Sequence, residues 1–135
     1  MLTDTGPLVA LMDEGEPHHG ACVSVARTLP PGPLVTTWPC FTETMYLLDS
    51  LGGHRLQNRL WQARIEGRLV LLDITPGEAD QMSVMMAQYQ NVPMDLADAS
   101  LVAAAESRGF RRLFTIDSDF YIYRMTDGSV LEVVR

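Results

Sequence analysis

Short apolar runs, each closed by turn-forming residues and followed by a helical pattern, constrain this chain more than any other feature. Met1-Leu2-Thr3, Leu34-Val35-Thr36-Thr37, Leu69 to Ile74, Leu113 to Ile116 and Ser129 to Val134 read as strands. The third reads as buried, because its apolar run is continuous between Gly67 and Pro76-Gly77. Helical periodicity fills the intervals. Leu8 to Met12 follows the Gly6-Pro7 break, His18 to Leu29 ends at Pro30-Pro31-Gly32-Pro33, and a helix from Pro39 runs to Gly52-Gly53. Arg55 to Glu66, Glu78 to Tyr89 (rich in methionine) and a helix opening at Met94-Asp95-Leu96 and stopping at Gly109 complete the set. Strands that alternate with helices imply an α/β fold, a mainly parallel sheet covered on both faces.

In open parallel sheets the ligand site lies just beyond the carboxyl ends of the strands. Right-handed crossovers put the ends carrying Asp4 and Asp117 on one edge. Asp4 stands where a strand turns into a helix, and Asp117-Ser118-Asp119 repeats that arrangement after Ile116. Glu43 lies near the start of the third helix among apolar or small neighbours, outside any charge run. Asp98 sits between Ala97 and Ala99 before the apolar run Leu101 to Ala105. Asp95 fits a helix N-cap. Four junction acids, with Asp119 as a fifth, come without cysteine or histidine partners, because His18 and His19 read as exposed first-turn residues. Such a donor set selects hard cations, Mg²⁺ or Mn²⁺, which activate water in phosphodiester cleavage. Solvated, unrelated acids are the plainer alternative.

The 135 residues suffice for one domain, and the formal net charge of −7 argues against a general nucleic-acid coat protein. All ten basic residues are arginine. The missing lysine excludes a phosphoacceptor receiver domain and a P-loop nucleotide binder. Cys22 and Cys40 read as reduced core thiols. No run approaches the ~20 apolar residues of a membrane span, and no basic leader opens the chain, so the expected compartment is the cytoplasm.

Asp4-Thr5-Gly6-Pro7-Leu8-Val9-Ala10-Leu11, Glu43, Leu96-Ala97-Asp98-Ala99 and Thr115-Ile116-Asp117-Ser118-Asp119-Phe120 resemble, in order, the four acidic motifs of PIN-domain nucleases. The resemblance covers nearly the whole chain. It implies a Rossmann-like three-layer α/β/α sandwich and RNA cleavage dependent on Mg²⁺ or Mn²⁺. Asp4, Glu43, Asp98 and Asp117 would be the metal ligands, Thr5 and Thr115 hydroxyls orienting the carboxylates, and Asp119 an auxiliary acid. Asp95 matches a less constant position. Many small members are VapC-type toxins, often homodimeric and held by a small antitoxin. Helices 1, 2 and 4, with Trp61 and the arginines at 55, 59 and 64, are the candidate antitoxin groove. Arg111, Arg112 and Arg124 near the Asp117 motif, with Tyr121 or Tyr123 stacking on an unpaired base, are the candidate RNA contacts. Two other readings remain, a housekeeping RNA-processing PIN nuclease and a non-catalytic PIN protein-binding module. The chain departs from the family's pattern in having only three residues before Asp4, which leaves the first strand short.

Overall fold

The sheet is built around its shortest member. In the computed structural model, which describes Met1–Arg135, β1 is the two-residue strand Leu2–Thr3. It lies between β2 (Leu34–Thr37) and β4 (Arg112–Phe114), with β3 (Leu69–Leu72) and β5 (Glu132–Val134) at the edges. The order is β3-β2-β1-β4-β5 and every pairing is parallel. Leu2 aligns with Val35 on one side and Leu113 on the other. The Thr36 hydroxyl adds a 2.8 Å bond to the Thr3 carbonyl. Two residues hold the centre because both neighbours pair with them.

Side chains alternate across the sheet as the strand period requires. Leu2, Val35, Leu113 and Val133 face one layer, packed by the methionines of α5 (Pro76–Gln88) and the small apolar run of α6 (Leu96–Arg108). The methionine stripe is therefore core filler. On the other face, α1 (Thr5–Met12), α3 (Trp38–Gly52) and α4 (His54–Ile65) enclose Leu8, Phe41, Leu48, Leu56 and Leu60. Phe114 packs against Cys22 of α2 (His19–Thr28) and Ala10 of α1. The result is the expected α/β/α sandwich. Both cysteines are buried and free, and no helix is long and apolar enough to cross a membrane.

Several boundaries move, for identifiable reasons. Helix α1 starts at Thr5, before the Gly6-Pro7 pair, because the Asp4 carboxylate caps the Thr5 amide. Pro7 is tolerated in a first turn, where its missing N–H costs nothing. Strand β3 is an edge strand, so its apolar run is not buried throughout: Val70 is 40% exposed. It ends at Leu72 because Thr75 and Glu78 form a capping box that starts α5 early. The last strand begins only at Glu132. His19 is half-buried rather than free, its Nδ1 lying 2.6 Å from the Ala10 carbonyl.

Helices α5 and α6 are clamped end to end by one buried acid. Glu78 accepts from Arg108 Nη2 at 3.2 Å, from the Ser107 hydroxyl at 2.5 Å and from the Thr75 amide at 2.9 Å. Burial raises the carboxyl's pKa, but these donors outweigh it and hold it at about 2, below the ordinary 4.5. A depressed pKa stabilises the fold fully above the unfolded value, and the stabilisation is lost as pH falls toward about 2. Glu78→Gln should cost about 2 kcal/mol at neutral pH. The difference in melting temperature between wild type and variant should shrink across the acid window below pH 4.5. Thermal melts over that range measure it.

Candidate active site

Four elements deliver carboxylates to the carboxyl edge of the sheet. Asp4 ends β1, and its amide donates to the Phe114 carbonyl at 2.9 Å, which fixes it beside the end of β4. Its Oδ1 accepts from the Thr5 amide at 2.7 Å and its Oδ2 from the Thr115 hydroxyl at 2.7 Å. That same hydroxyl accepts from the Asp117 amide at 3.0 Å. One threonine thus orients the first acid and anchors the backbone of the last. Asp117 Oδ1 in turn accepts from the Asp119 amide at 2.9 Å and caps the 3-10 turn Ser118–Tyr121.

Gly6 makes this closeness possible. A Cβ there would lie 2.8 Å from Ile116 Cγ1, so any larger residue would have to displace the Ile116 side chain where α1 starts against the chain leaving β4.

Glu43 and Asp98 come from helices that start side by side. The hydroxyls of Thr37 and Ser100 are 2.6 Å apart, and Cys40 Sγ lies 3.7 Å from the Ala97 carbonyl. These contacts join the amino ends of α3 and α6. Asp95 caps α6 by accepting from the Asp98 amide at 2.8 Å. Asp98 is buried, and its Oδ2 accepts from the Tyr123 hydroxyl at 2.9 Å.

The acids act on one another. Burial, with the charges of Asp117 and Asp95 adding to it, raises Asp4 to about 6 against the hydrogen bonds from Thr115 and Thr5. Asp98 is held well above the ordinary carboxylate range by burial and then by Asp95, Asp4 and Asp117. Glu43 is raised by burial and by Asp95, Asp4 and Asp117. Asp119 is raised by desolvation and by Asp117. Burial and the charge of Asp4 push the Cys40 thiol up to about 12, so it is an inert core group.

The structure brings Asp4, Glu43, Asp98 and Asp117 to one edge, with Asp119 beside Asp117. It gives Asp95 more weight than its motif suggests, because Asp95 is the largest charge acting on both Asp98 and Glu43. The i, i+3 spacing of Asp95 and Asp98 carried that signal. Thr115 orients a carboxylate through its hydroxyl, whereas Thr5 does so through its amide; the Thr5 hydroxyl points to the Cys40 carbonyl at 3.5 Å.

Arg112 is not brought to the acids. It opens β4 at the opposite edge, and its Nε lies 3.5 Å from Glu132. Arg111 precedes it. Arg124 Nη1 is engaged by the carbonyls of Tyr121, Ile122 and Tyr123. Tyr123 is buried and unavailable for stacking, while Tyr121 stays 50% exposed with the Arg135 guanidinium 5.7 Å from its ring centre.

The carboxylates do not converge on a point, and no three acids, histidines or cysteines stand as a ready ligand set. The donor chemistry nonetheless fits a hard divalent cation. All donors are oxygens, Asp98 Oδ1 and Asp117 Oδ2 have no protein hydrogen-bond partner, and the mutual repulsion is the kind a cation relieves.

Because the Asp98 carboxyl is raised, its contribution to stability is full below the unfolded value of 3.8 and is lost as pH rises. Without added metal, Asp98→Asn should therefore melt higher than wild type by about 3–5 °C at pH 8, the size of ~1 kcal/mol in a domain of this length. The gap should close toward pH 4. A variant that melts lower than wild type at pH 8 contradicts the electrostatic account.

Comparison with known proteins agrees with this fold. The model of the PIN domain family matches residues 1–124. Ribonuclease VapC26 of Mycobacterium tuberculosis (strain ATCC 25618 / H37Rv) is 28% identical over 121 residues, spanning 87% of this chain and 86% of the relative. The crystal structure of Mycobacterium tuberculosis VapC20, a sarcin-ricin loop cleaving toxin, superposes with a TM-score of 0.82 at 21% identity, covering 90% of this chain and 92% of that one. A toxin-antitoxin complex from Klebsiella pneumoniae follows at a TM-score of 0.66 and 19% identity, over 99% and 95% of the two chains. VapBC2 from Rickettsia felis, bound to a DNA fragment from its promoter, gives 0.63 and 13%, over 99% and 98%. With the family model spanning nearly all of the sequence, the chain belongs to the PIN domain family.

Proposed function

We propose that this chain is an endoribonuclease dependent on Mg²⁺ or Mn²⁺ and the toxin of a toxin–antitoxin pair. The observation that carries the reading is the set of four carboxylates from four separate elements at one sheet edge, two of them, Asp4 and Asp117, joined through the Thr115 hydroxyl. The likeness to a protein named as a ribonuclease supports the reaction class.

Asp4, Asp98, Asp117 and Glu43 would hold the ion. When bound, a divalent ion supplies Lewis acidity and lowers the pKa of water for attack on phosphorus. The chain's own contribution is to fix the ligands. Thr115 and the Thr5 amide hold Asp4, the Asp119 amide holds Asp117, and the joined ends of α3 and α6 bring Glu43 toward Asp98. Beside Glu43 and Asp95 opens a cleft of about 670 Å³ with Trp38, Tyr46 and Leu96 in its wall, wide enough for an unpaired nucleotide. No housekeeping role or purely protein-binding role is favoured by a comparable observation.

A separate feature supports the antitoxin reading. A cavity of about 700 Å³ opens at the amino edge, lined by Leu8, Leu11 and Met12 of α1, Ala26 of α2 and Ala63 of α4. Its apolar lining suits a segment of a partner protein. Trp61 instead packs edge-on against Phe41, 4.9 Å between ring centres, and Arg59 donates to the Met12 carbonyl. Homodimeric assembly and a cytoplasmic location complete the proposal.

The test compares wild type and Asp98→Asn on RNA with Mg²⁺, with Mn²⁺ and with chelator. Wild type should cut only with metal, and the variant should lose at least ~100-fold in rate while staying folded. Cleavage that persists in chelator, or survives Asp98→Asn, ends the metal-nuclease reading. Arg112→Glu should leave the rate within about twofold, since removing a distant rim charge changes little. Copurification with the product of a neighbouring short gene, lost on Leu11→Arg, tests the antitoxin site.

A further inference from the structure

We infer that Tyr123 is a positioning residue for Asp98, holding one carboxylate oxygen so that the other is presented to the metal. The inference rests on the metal-nuclease reading above. It starts from a buried phenol, 2% exposed, whose hydroxyl donates to Asp98 Oδ2 at 2.9 Å. A buried tyrosine hydroxyl needs a partner, and here the partner is a cluster acid rather than a backbone carbonyl. The bond leaves Asp98 Oδ1 without a protein partner. No buried side-chain polar atom lacks one, so Oδ1 opens to solvent at the acid edge.

The ring is itself held on several sides. Tyr89 and Phe120 each pack edge-on against it with centroids 5.2 Å away. Its amide donates to the Asp119 carbonyl at 3.3 Å. The next amide, that of Arg124, donates to the Tyr89 hydroxyl at 2.9 Å, and the Arg124 guanidinium closes on the carbonyls of residues 121 to 123.

Tyr123 therefore belongs to the segment that follows Asp117 yet fixes the side chain of α6. It links the two acids that the chain separates by the rest of α6 and by β4. Groups that hydrogen-bond to metal-ligating carboxylates set ligand orientation, and losing one typically weakens metal binding 10–100-fold. Packing alone would predict an effect on stability and none on the metal.

Tyr123→Phe keeps the ring contacts and deletes only the hydroxyl. Mn²⁺ titrations followed by calorimetry and by the gain in melting temperature compare it with wild type and with Tyr89→Phe. The Tyr89 hydroxyl bonds the Arg124 amide and does not touch Asp98. The Mn²⁺ midpoint should rise about tenfold or more in Tyr123→Phe and stay at the wild-type value in Tyr89→Phe. RNA cleavage by Tyr123→Phe should recover at high Mn²⁺ with KM for RNA unchanged. A wild-type midpoint in Tyr123→Phe overturns the inference and leaves the nuclease reading standing. An equal shift in both variants also overturns it, as general loosening. Wild type that shows no Mn²⁺ binding removes the nuclease reading and this inference together.

Discussion

The bond from the Asp4 amide to the Phe114 carbonyl, 2.9 Å long, is the constraint on which the rest of this structure depends. It is the last rung of a pairing that has only two strand residues on one side. Without it the end of β1 would not be set against the end of β4, and Thr115 would not reach Asp4. Everything at the acid edge follows from that placement. Asp4 caps α1, Thr115 bridges Asp4 to Asp117, and Gly6 leaves room for Ile116 between them.

The same placement sets up an electrostatic conflict. Buried carboxylates that repel one another destabilise a fold, and here the chain opposes the repulsion with donors that cannot leave. Two backbone amides, one threonine hydroxyl and one tyrosine hydroxyl hold Asp4, Asp117 and Asp98. None of these donors carries a charge, so none cancels the acids' field. Contrast Glu78, where Arg108 supplies a cation and the carboxyl falls to about 2. One acid is neutralised by the protein and serves stability. The others have no cationic side chain beside them, an arrangement that supports the cation site proposed above.

The alternation of strands and helices was legible because each element's apolar period agreed with its turn residues. The chain order of the acids was legible too, since each stood at an element junction. What the sequence could not carry were contacts across the fold. Nothing local to Tyr123 says that its hydroxyl meets Asp98, 25 positions away. The apolar run of β3 looked like a fully buried strand, because a continuous apolar run does not say whether a neighbouring strand covers both sides. Arg112 lay near Asp117 in sequence, but a strand carries the two to opposite edges of the sheet. Asp95 looked like a plain cap, and it is one. Its charge still acts on Asp98 because capping places it a single turn away.

Charge placement bears directly on how an acidic chain of net −7 could engage RNA. Apart from Arg135, which follows β5 and lies over the Tyr121 ring, the arginines described do not form a track to the acid edge. Arg68, Arg108 and Arg112 are paired with Glu66, Glu78 and Glu132, and Arg59 is spent on the Met12 carbonyl. Arg27, Arg64 and Arg111 lie in segments that feed the amino ends of strands, the far side of the sheet. Arg124, in the segment after Asp117, has its Nη1 committed to three carbonyls. On the proposed reading, attraction for phosphate therefore comes chiefly from the bound cation, with Arg135 the one arginine placed beside the turn that Asp117 caps. Counterion release scales with the number of phosphates that cationic side chains neutralise, and few are on offer here. Substrate binding and catalysis would then share one requirement, an ion at the acid edge, and the acids that destabilise the empty fold would be the groups that bring the RNA to it.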